Sequence, residues 1–268
     1  MNKNVNRNLN KLFSLEGKTI VMTGAAGAIG SVLSKGMASV GGKMVLCDVN
    51  RSGLDPLAEE IRQEGGEAIV FPLNLLHTEE IQPCVDSIVQ ECGKIDVLVN
   101  MAGINKRHPI LDNDPELFDQ IMGVNLKGAY FLSQAVAKNM KENHNGSIIN
   151  VASYNSVMML GGNSIYGASK SGVAAMTRSQ AIEWAQYGIR SNALSPGHIS
   201  TQLTAPLWDN PVLAKYLLDR IAMARPGKPE DLLGMAILLA SDASAYMSGM
   251  LYHVDGGCLA GGQPWEIG

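Results

Sequence analysis

Several large functional classes leave no trace in this chain. Its 268 residues include four cysteines, and Cys47, Cys84, Cys92 and Cys258 follow no metal-ligand spacing. That argues against a zinc module or a disulfide-stapled scaffold. The five histidines are scattered without an i, i+4 pair, so no helix offers a pair of metal ligands. No stretch approaches the roughly 20 apolar residues that span a bilayer. Basic excess is also missing, because 21 Lys and Arg against 25 Asp and Glu leave a formal charge of −4. That balance is not the footprint of a nucleic-acid binder. The first 11 residues are rich in Asn and Lys and carry no apolar run, so 1–14 reads as a loose tail and not as a signal peptide. The rest, 15–268, is long enough to form one domain that buries roughly three-quarters of its unfolded surface. The resulting expectation is a cytoplasmic, metal-independent enzyme without nucleic-acid or membrane partners.

What is present begins with a β-rich run, Lys18–Thr23, that passes at once into Gly24-Ala-Ala-Gly-Ala-Ile-Gly30. A helical pattern follows through Val32, Leu33, Met37 and Val40. Strand, glycine turn, helix is the context in which unpaired backbone N–H groups and aligned peptide dipoles attract a phosphate. Gly24, Ala28, Ile29 and Gly30 are therefore candidate cofactor contacts. A second apolar run ends at Asp48, 18 residues after Gly30. A carboxylate there can accept from both hydroxyls of an adenosine ribose and would repel a 2′-phosphate. NAD is expected over NADP, although Arg51 stands close enough to keep NADP open.

Further strands are expected at about 67–72, 95–100, 146–152, 189–194 and 250–254, with helices near 52–64, 78–92, 116–141, 164–186 and 229–241. Strict β–α alternation implies an α/β fold, a Rossmann-like doubly wound parallel sheet of about seven strands with helices on both faces. The pattern breaks at 202–228, where Pro206, Pro211 and Pro226 interrupt helical runs. That segment reads as a substrate-covering lobe.

Tyr166 and Lys170 open the long apolar-periodic stretch, four residues apart and so on one helix face. A free tyrosine, with a pKa of about 10, is a poor base at neutral pH. A cation about 4 Å away supplies much of the roughly 4 kcal/mol needed to bring it near 7. Ser153, 13 positions before the tyrosine, can hold a reacting oxygen as a neutral donor.

With these motifs in order, the chain resembles the short-chain dehydrogenase/reductase family from roughly Leu15 to Gly257. The family's Thr-Gly-x-x-x-Gly-x-Gly falls on Thr23–Gly30 with Ala28 at its middle glycine, and its Asn-Asn-Ala-Gly appears as Asn100-Met-Ala-Gly103. The resemblance implies a catalytic tetrad of Asn125, Ser153, Tyr166 and Lys170, in which Lys170 also bonds the nicotinamide ribose and Asn125 fixes a proton-relaying water. It implies cofactor contacts at Asn74, Asn100, Ala102 and Gly103. The segment Ser195-Pro-Gly-His-Ile-Ser-Thr201 implies others at Pro196, Gly197, Ile199 and Thr201. It also implies a homotetramer joined through the helices at 116–141 and 164–186, with the tail at 261–265 reaching a neighbour. The activity implied is interconversion of a secondary alcohol and a ketone with a nicotinamide cofactor.

Substrate identity rests on less. The loop Ala102-Gly-Ile-Asn-Lys-Arg-His-Pro109 resembles that of gluconate 5-dehydrogenases within the family. Arg107, beside Lys106, is either a carboxylate grip or part of a solvated basic turn. His108 reads as structural before Pro109. Asn155 and His198 are polar candidates for the pocket floor, alongside Ser153. Met158-Met159-Leu160 argues the other way, for an apolar pocket. A sugar acid or polyol is expected, with a ketoreductase of a less polar ketone as the alternative. A cofactor-sensing scaffold without catalysis would have shown itself by loss of the tyrosine or lysine.

Overall fold

Strands that are apolar at every position bury both faces, because successive side chains point to opposite sides of a sheet. In β1 (Thr19–Thr23), Ile20 and Met22 enter one core and Val21 the other. In β2 (Lys43–Cys47), Met44 and Leu46 are divided in the same way from Val45 and Cys47. The computed structural model describes residues 9–263. A helix α1, described over 9–13, precedes β1. There follow α2 (Ala28–Ser39), α3 (Arg51–Gln63) after β2, β3 (Glu67–Val70), α4 (Thr78–Cys92), β4 (Val97–Asn100), α5 (Pro115–Met122) and α6 (Ala129–Glu142). The chain continues through β5 (Gly146–Val151), α7 (Ser164–Trp184), β6 (Ile189–Pro196), α8 (Ala205–Trp208), α9 (Pro211–Leu218), α10 (Leu233–Ala240) and β7 (Leu251–Val254).

All seven strands are parallel, in the order β3-β2-β1-β4-β5-β6-β7. Leu33 and Met37 of α2, Leu54 and Ile61 of α3 and Leu239 of α10 cover one face. Ile81 and Ile88 of α4 and Leu132 and Met140 of α6 cover the other, where Val173 and Met176 of α7 join a smaller cluster. This is the doubly wound sheet expected from the alternation. Strand order reverses between β1 and β4, so the connections leaving these neighbours diverge and open a crevice at their carboxyl ends. Among the described residues no helix is long and apolar enough to cross a membrane, and no group of three or more His, Cys, Asp or Glu is placed to hold a metal.

Two local readings change, and a third gains detail. The single helix expected at 116–141 is two, joined by a π-helical turn at Gly123–Gly128. Both bounding glycines lie against the chain after β3, where a Cβ would come within 2.7 Å of Leu76 and 2.6 Å of Leu75. Residues 9–13, inside the stretch read as a loose tail, are helical. The segment 202–228 carries α8 and α9, the latter started by Asn210, whose side chain accepts from the Val212 and Leu213 N–H groups ahead of Pro211. Of the tail at 261–265, Pro264 and Trp265 lie outside the described residues.

One polar web lies inside this apolar sandwich. Fully buried Asn150 on β5 donates to Thr177 Oγ1 at 3.0 Å, Gln180 Oε1 at 2.9 Å and Ser191 Oγ at 3.3 Å, and accepts from Asn100 Nδ2 at 2.8 Å. It therefore ties β4, β5, β6 and α7 together. Asn150→Ala would leave several buried partners unpaired, each costing about 1–3 kcal/mol. We expect a net loss of about 3 kcal/mol, read as a lower urea midpoint with an unchanged slope.

Candidate active site

The glycine turn is shaped by close approach. Gly24 has φ +63°, and a Cβ on it would lie 2.8 Å from the Ala102 Cα. A Cβ on Gly30 would meet the Gly24 carbonyl, so α2 can start hard against the strand end only with glycine there. Thr23 Oγ1 accepts from the Ala102 N–H at 3.1 Å, joining the turn after β1 to the turn after β4. Ala28 begins α2 with its methyl exposed, and the first-turn N–H groups make no helical bonds. Asp48, just past β2, is held at both oxygens, Oδ2 by the Ala26 N–H at 3.1 Å and Oδ1 by the Asn50 N–H at 2.9 Å. The acid is thereby oriented beside the glycine turn. Asn74 follows β3, and its Oδ1 accepts from the Leu76 N–H at 3.1 Å.

The reactive groups come from the ends of β4, β5 and β6 and from α7. Ser153 caps a short turn after β5, accepts from the Asn155 N–H at 3.1 Å and hydrogen-bonds the Tyr166 hydroxyl. Lys170, one turn along α7 and buried, donates to the Val151 carbonyl at 2.6 Å, with Nζ 5.8 Å from the centre of the Tyr166 ring. Burial raises the tyrosine above its ordinary value, and the Ser153 hydrogen bond opposes this. Burial also pushes the Lys170 ammonium down to about 8. The depressed tyrosine expected from the spacing is therefore not a property of these side chains alone. The lysine is drawn to the strand-end carbonyl, and desolvation outweighs its attraction for a phenolate.

Asn125 sits buried in the π-helical turn. Its Nδ2 donates to the Ile104 carbonyl at 2.9 Å and to Ser169 Oγ at 3.0 Å, while its Oδ1 accepts from the Ile104 N–H at 2.8 Å. The amide thus clamps the loop after β4 to α7, the role of a cap on a helix irregularity. A Cβ on Gly103 would lie 3.3 Å from Lys170 Nζ and 3.4 Å from Asn125 Oδ1.

One cleft of about 280 Å³ gathers most of the expected residues. Ser153, Tyr166, Lys170, Asn155, Arg107 and His198 line it, with Ile29, Gly103, Pro196, Gly197, Ile199 and Thr201. Asp48 and Asn74 lie outside its lining, at the ends of β2 and β3, and Gly24 and Gly30 lie in the glycine turn. Asn100 is turned into the buried web, donating to Ser133 Oγ and Asn150 Oδ1, both at 2.8 Å. Asn155 is partly committed as well, donating to the Met158 carbonyl at 2.9 Å. Lys106, His108 and the Met158–Leu160 run stay outside the cleft lining; Met159 packs its sulfur on Gly167. Sequence reading missed Tyr154, Asn163, Leu207 and Trp208, which also line it. Of these, Trp208 carried a usable signal, an indole inside the proline-broken lobe.

The glycine cradle, the free N–H groups of α2 and the cleft that continues to Tyr166 fit a dinucleotide bound across the strand ends. Comparison with known proteins agrees. A family model described as Enoyl-(Acyl carrier protein) reductase matches residues 24–258. The chain is 36% identical over 251 residues to the 5-keto-D-gluconate 5-reductase of Escherichia coli K12, covering 94% of this chain and 99% of that one. It is 37% identical to a 3-oxoacyl-acyl-carrier-protein reductase of Thermotoga maritima, over 91% of this chain and 99% of that one. The crystal structure of a gluconate 5-dehydrogenase from Burkholderia cenocepacia in complex with NADP and tartrate superposes with a TM-score of 0.91 at 34% identity, covering 94% of this chain and 99% of that one. With the sheet order, the glycine turn and the Ser153–Tyr166–Lys170 cleft, these matches establish that the chain belongs to the short-chain dehydrogenase/reductase family, oxidoreductases acting on CH–OH groups.

Proposed function

We propose that this chain interconverts a secondary alcohol and its ketone on a sugar acid or polyol, using a nicotinamide dinucleotide. The observation that carries the reading is the meeting of the Ser153 hydroxyl with the Tyr166 oxygen, one helical turn from buried Lys170, in the cleft that Arg107 also lines. When bound, an oxidised nicotinamide would supply the acceptor for the hydride of the alcohol carbon. Ser153 donates to the reacting oxygen and Tyr166 takes its proton; in reduction the neutral phenol returns it. Lys170 supplies the positive charge that favours the phenolate, and Asn125 holds the loop of Gly103 and Ile104 against α7. Arg107 offers two parallel donors to a carboxylate. The names of the Escherichia coli and Burkholderia relatives support a sugar acid, whereas the Thermotoga relative supports a less polar ketone.

For the cofactor we propose NAD over NADP, because the Asp48 carboxylate is held in place by two N–H groups and accepts from a ribose hydroxyl but repels a phosphate. The Burkholderia structure, bound to NADP, argues for testing both. The family resemblance supports a homotetramer through α5, α6 and α7. Phe118, Tyr130, Phe131 and Ile182 on these helices expose between 39% and 79% of their surface. Light scattering is expected to return four times the 28.6 kDa chain mass; a monomer would remove that proposal.

Reduction of NAD and NADP, followed by absorbance at pH 9–10 across D-gluconate, other sugar acids, polyols and simple secondary alcohols, tests substrate and cofactor together. Turnover of a sugar acid or polyol with a higher kcat/KM for NAD is expected. Activity confined to apolar alcohols would replace the substrate class, and a preference for NADP would replace the Asp48 argument. Tyr166→Phe is expected to lose about 10³-fold in kcat while cofactor affinity stays within about threefold.

Lys170→Met tests the electrostatics separately. The folded ammonium titrates near 8 against 10.5 ordinarily, so between these values the unfolded chain binds more protons and stability rises with pH. Below pH 8 the folded chain carries the full cost of a buried cation. Removing it is expected to raise stability at pH 7 by about 2 kcal/mol, after the unpaired Val151 carbonyl is counted. The gain shrinks toward pH 10.5 in urea denaturation, and turnover is lost.

A further inference from the structure

Two buried nitrogens in the cleft have no partner among the described residues: Trp208 Nε1 and His198 Nε2. They belong to different elements. His198 follows β6, and Trp208 ends the short helix α8 of the lobe. The His198 ring lies between two others, 4.7 Å from the centre of the Tyr154 ring and 6.2 Å from a perpendicular Trp208 ring. Tyr154 is the residue after Ser153 and is 4% exposed, so the stack connects the reacting end of the cleft to the lobe.

Buried polar atoms normally find a hydrogen-bond partner, and an orphaned one is costly. Both residues line the cleft while the two nitrogens themselves are closed off from solvent, so the partner that can reach them through a small side-chain movement is a cleft ligand. An indole N–H can only donate, so the ligand atom it meets is an oxygen acceptor. Burial, reinforced by the charges of Arg107 and Arg220, pushes the His198 imidazole down to about 4, so the ring is neutral at working pH. A neutral ring nitrogen either donates or accepts, and a hydroxyl satisfies it in both cases. The lining thus offers one cation in Arg107, one obligatory donor and one group suited to a hydroxyl. A hydrocarbon chain would leave both nitrogens dry and unpaired.

We propose that Trp208 and His198 form a hydroxyl-recognition subsite, with the Trp208 N–H donating to one oxygen of a polyhydroxylated substrate and His198 Nε2 pairing with a neighbouring hydroxyl. This rests on the alcohol–ketone reading of the same cleft and adds to it the device that selects hydroxylated over apolar substrates. Sites built to hydrogen-bond a substrate hydroxyl discriminate strongly against analogues lacking it, because the site's own polar groups are then left unpaired. The subsite also gives the lobe a reason to dock, since its indole gains its partner only when substrate is present.

Trp208→Phe keeps the ring and removes only the N–H. Steady-state kinetics are compared on D-gluconate, or whichever sugar acid or polyol the wild type turns over best, and on 2-butanol, which has no second hydroxyl. For the polyhydroxylated substrate, KM is expected to rise about tenfold or more, with kcat within about threefold. The kcat/KM on 2-butanol is expected to stay within about twofold. His198→Phe is expected to show the same asymmetry, and His198→Gln, which keeps a donor and an acceptor, to recover part of it. Equal losses on both substrates would mark the indole as structural and overturn the subsite, as would an unchanged KM for the sugar acid or polyol. A wild type that turns over 2-butanol but no sugar acid or polyol overturns the substrate reading itself, and the subsite with it.

Discussion

A buried hydrogen bond, from Lys170 Nζ to the Val151 carbonyl, ties the helix that carries Tyr166 to the strand end that leads into Ser153. The rest of the site depends on it. Helix α7 also packs along β6, and its Thr177 and Gln180 side chains meet Asn150 in the sheet. Its height above the sheet is therefore set by polar contacts at two levels. Apolar packing alone would let such a helix slide, because methyl groups tolerate small shifts that hydrogen bonds do not. With α7 held in this way, Tyr166 and Ser153 line the same cleft.

The same bond explains the electrostatics. A lysine placed to serve a strand-end carbonyl is desolvated, and that desolvation brings its ammonium to about 8. The tyrosine beside it is raised by burial for the same reason. Burial disfavours both charged forms, raising the phenol and lowering the ammonium, so these two side chains alone do not make the tyrosine a base. Asn125 supports the arrangement from outside. By holding Ile104 at both its N–H and its carbonyl, it fixes the loop whose Gly103 faces the ammonium.

The alternation of apolar runs and helical patterns was enough to find the strands, because parallel strands covered on both faces are built mainly of apolar residues. The glycine turn and Asp48 were legible for a related reason, since a close backbone approach and a strand-end acid are local events. Asn150 was not legible. An asparagine inside an apolar strand reads as an exception, and its partners Thr177, Gln180 and Ser191 come from segments 27 to 41 residues away. The π-helical turn was missed because a single extra residue hardly disturbs a period of 3.6. Trp208 lay in a lobe whose prolines marked a break but did not say which side would face inward.

What the sequence by itself determined is the set of local chemistries. These are a strand–turn–helix that welcomes phosphate, an acid at a strand end, and a tyrosine and lysine one helical turn apart. Each depends on residues within a few positions of one another, and backbone geometry alone relates them. Tertiary structure decided which of these groups meet and in what medium. It brought Ser153, Tyr166, Arg107, His198 and Trp208 into one cleft, turned Asn100 away from it and buried Lys170 in its wall. Proton affinities and unpaired donors follow from burial, and burial is a property of the packed chain that no short stretch of it possesses.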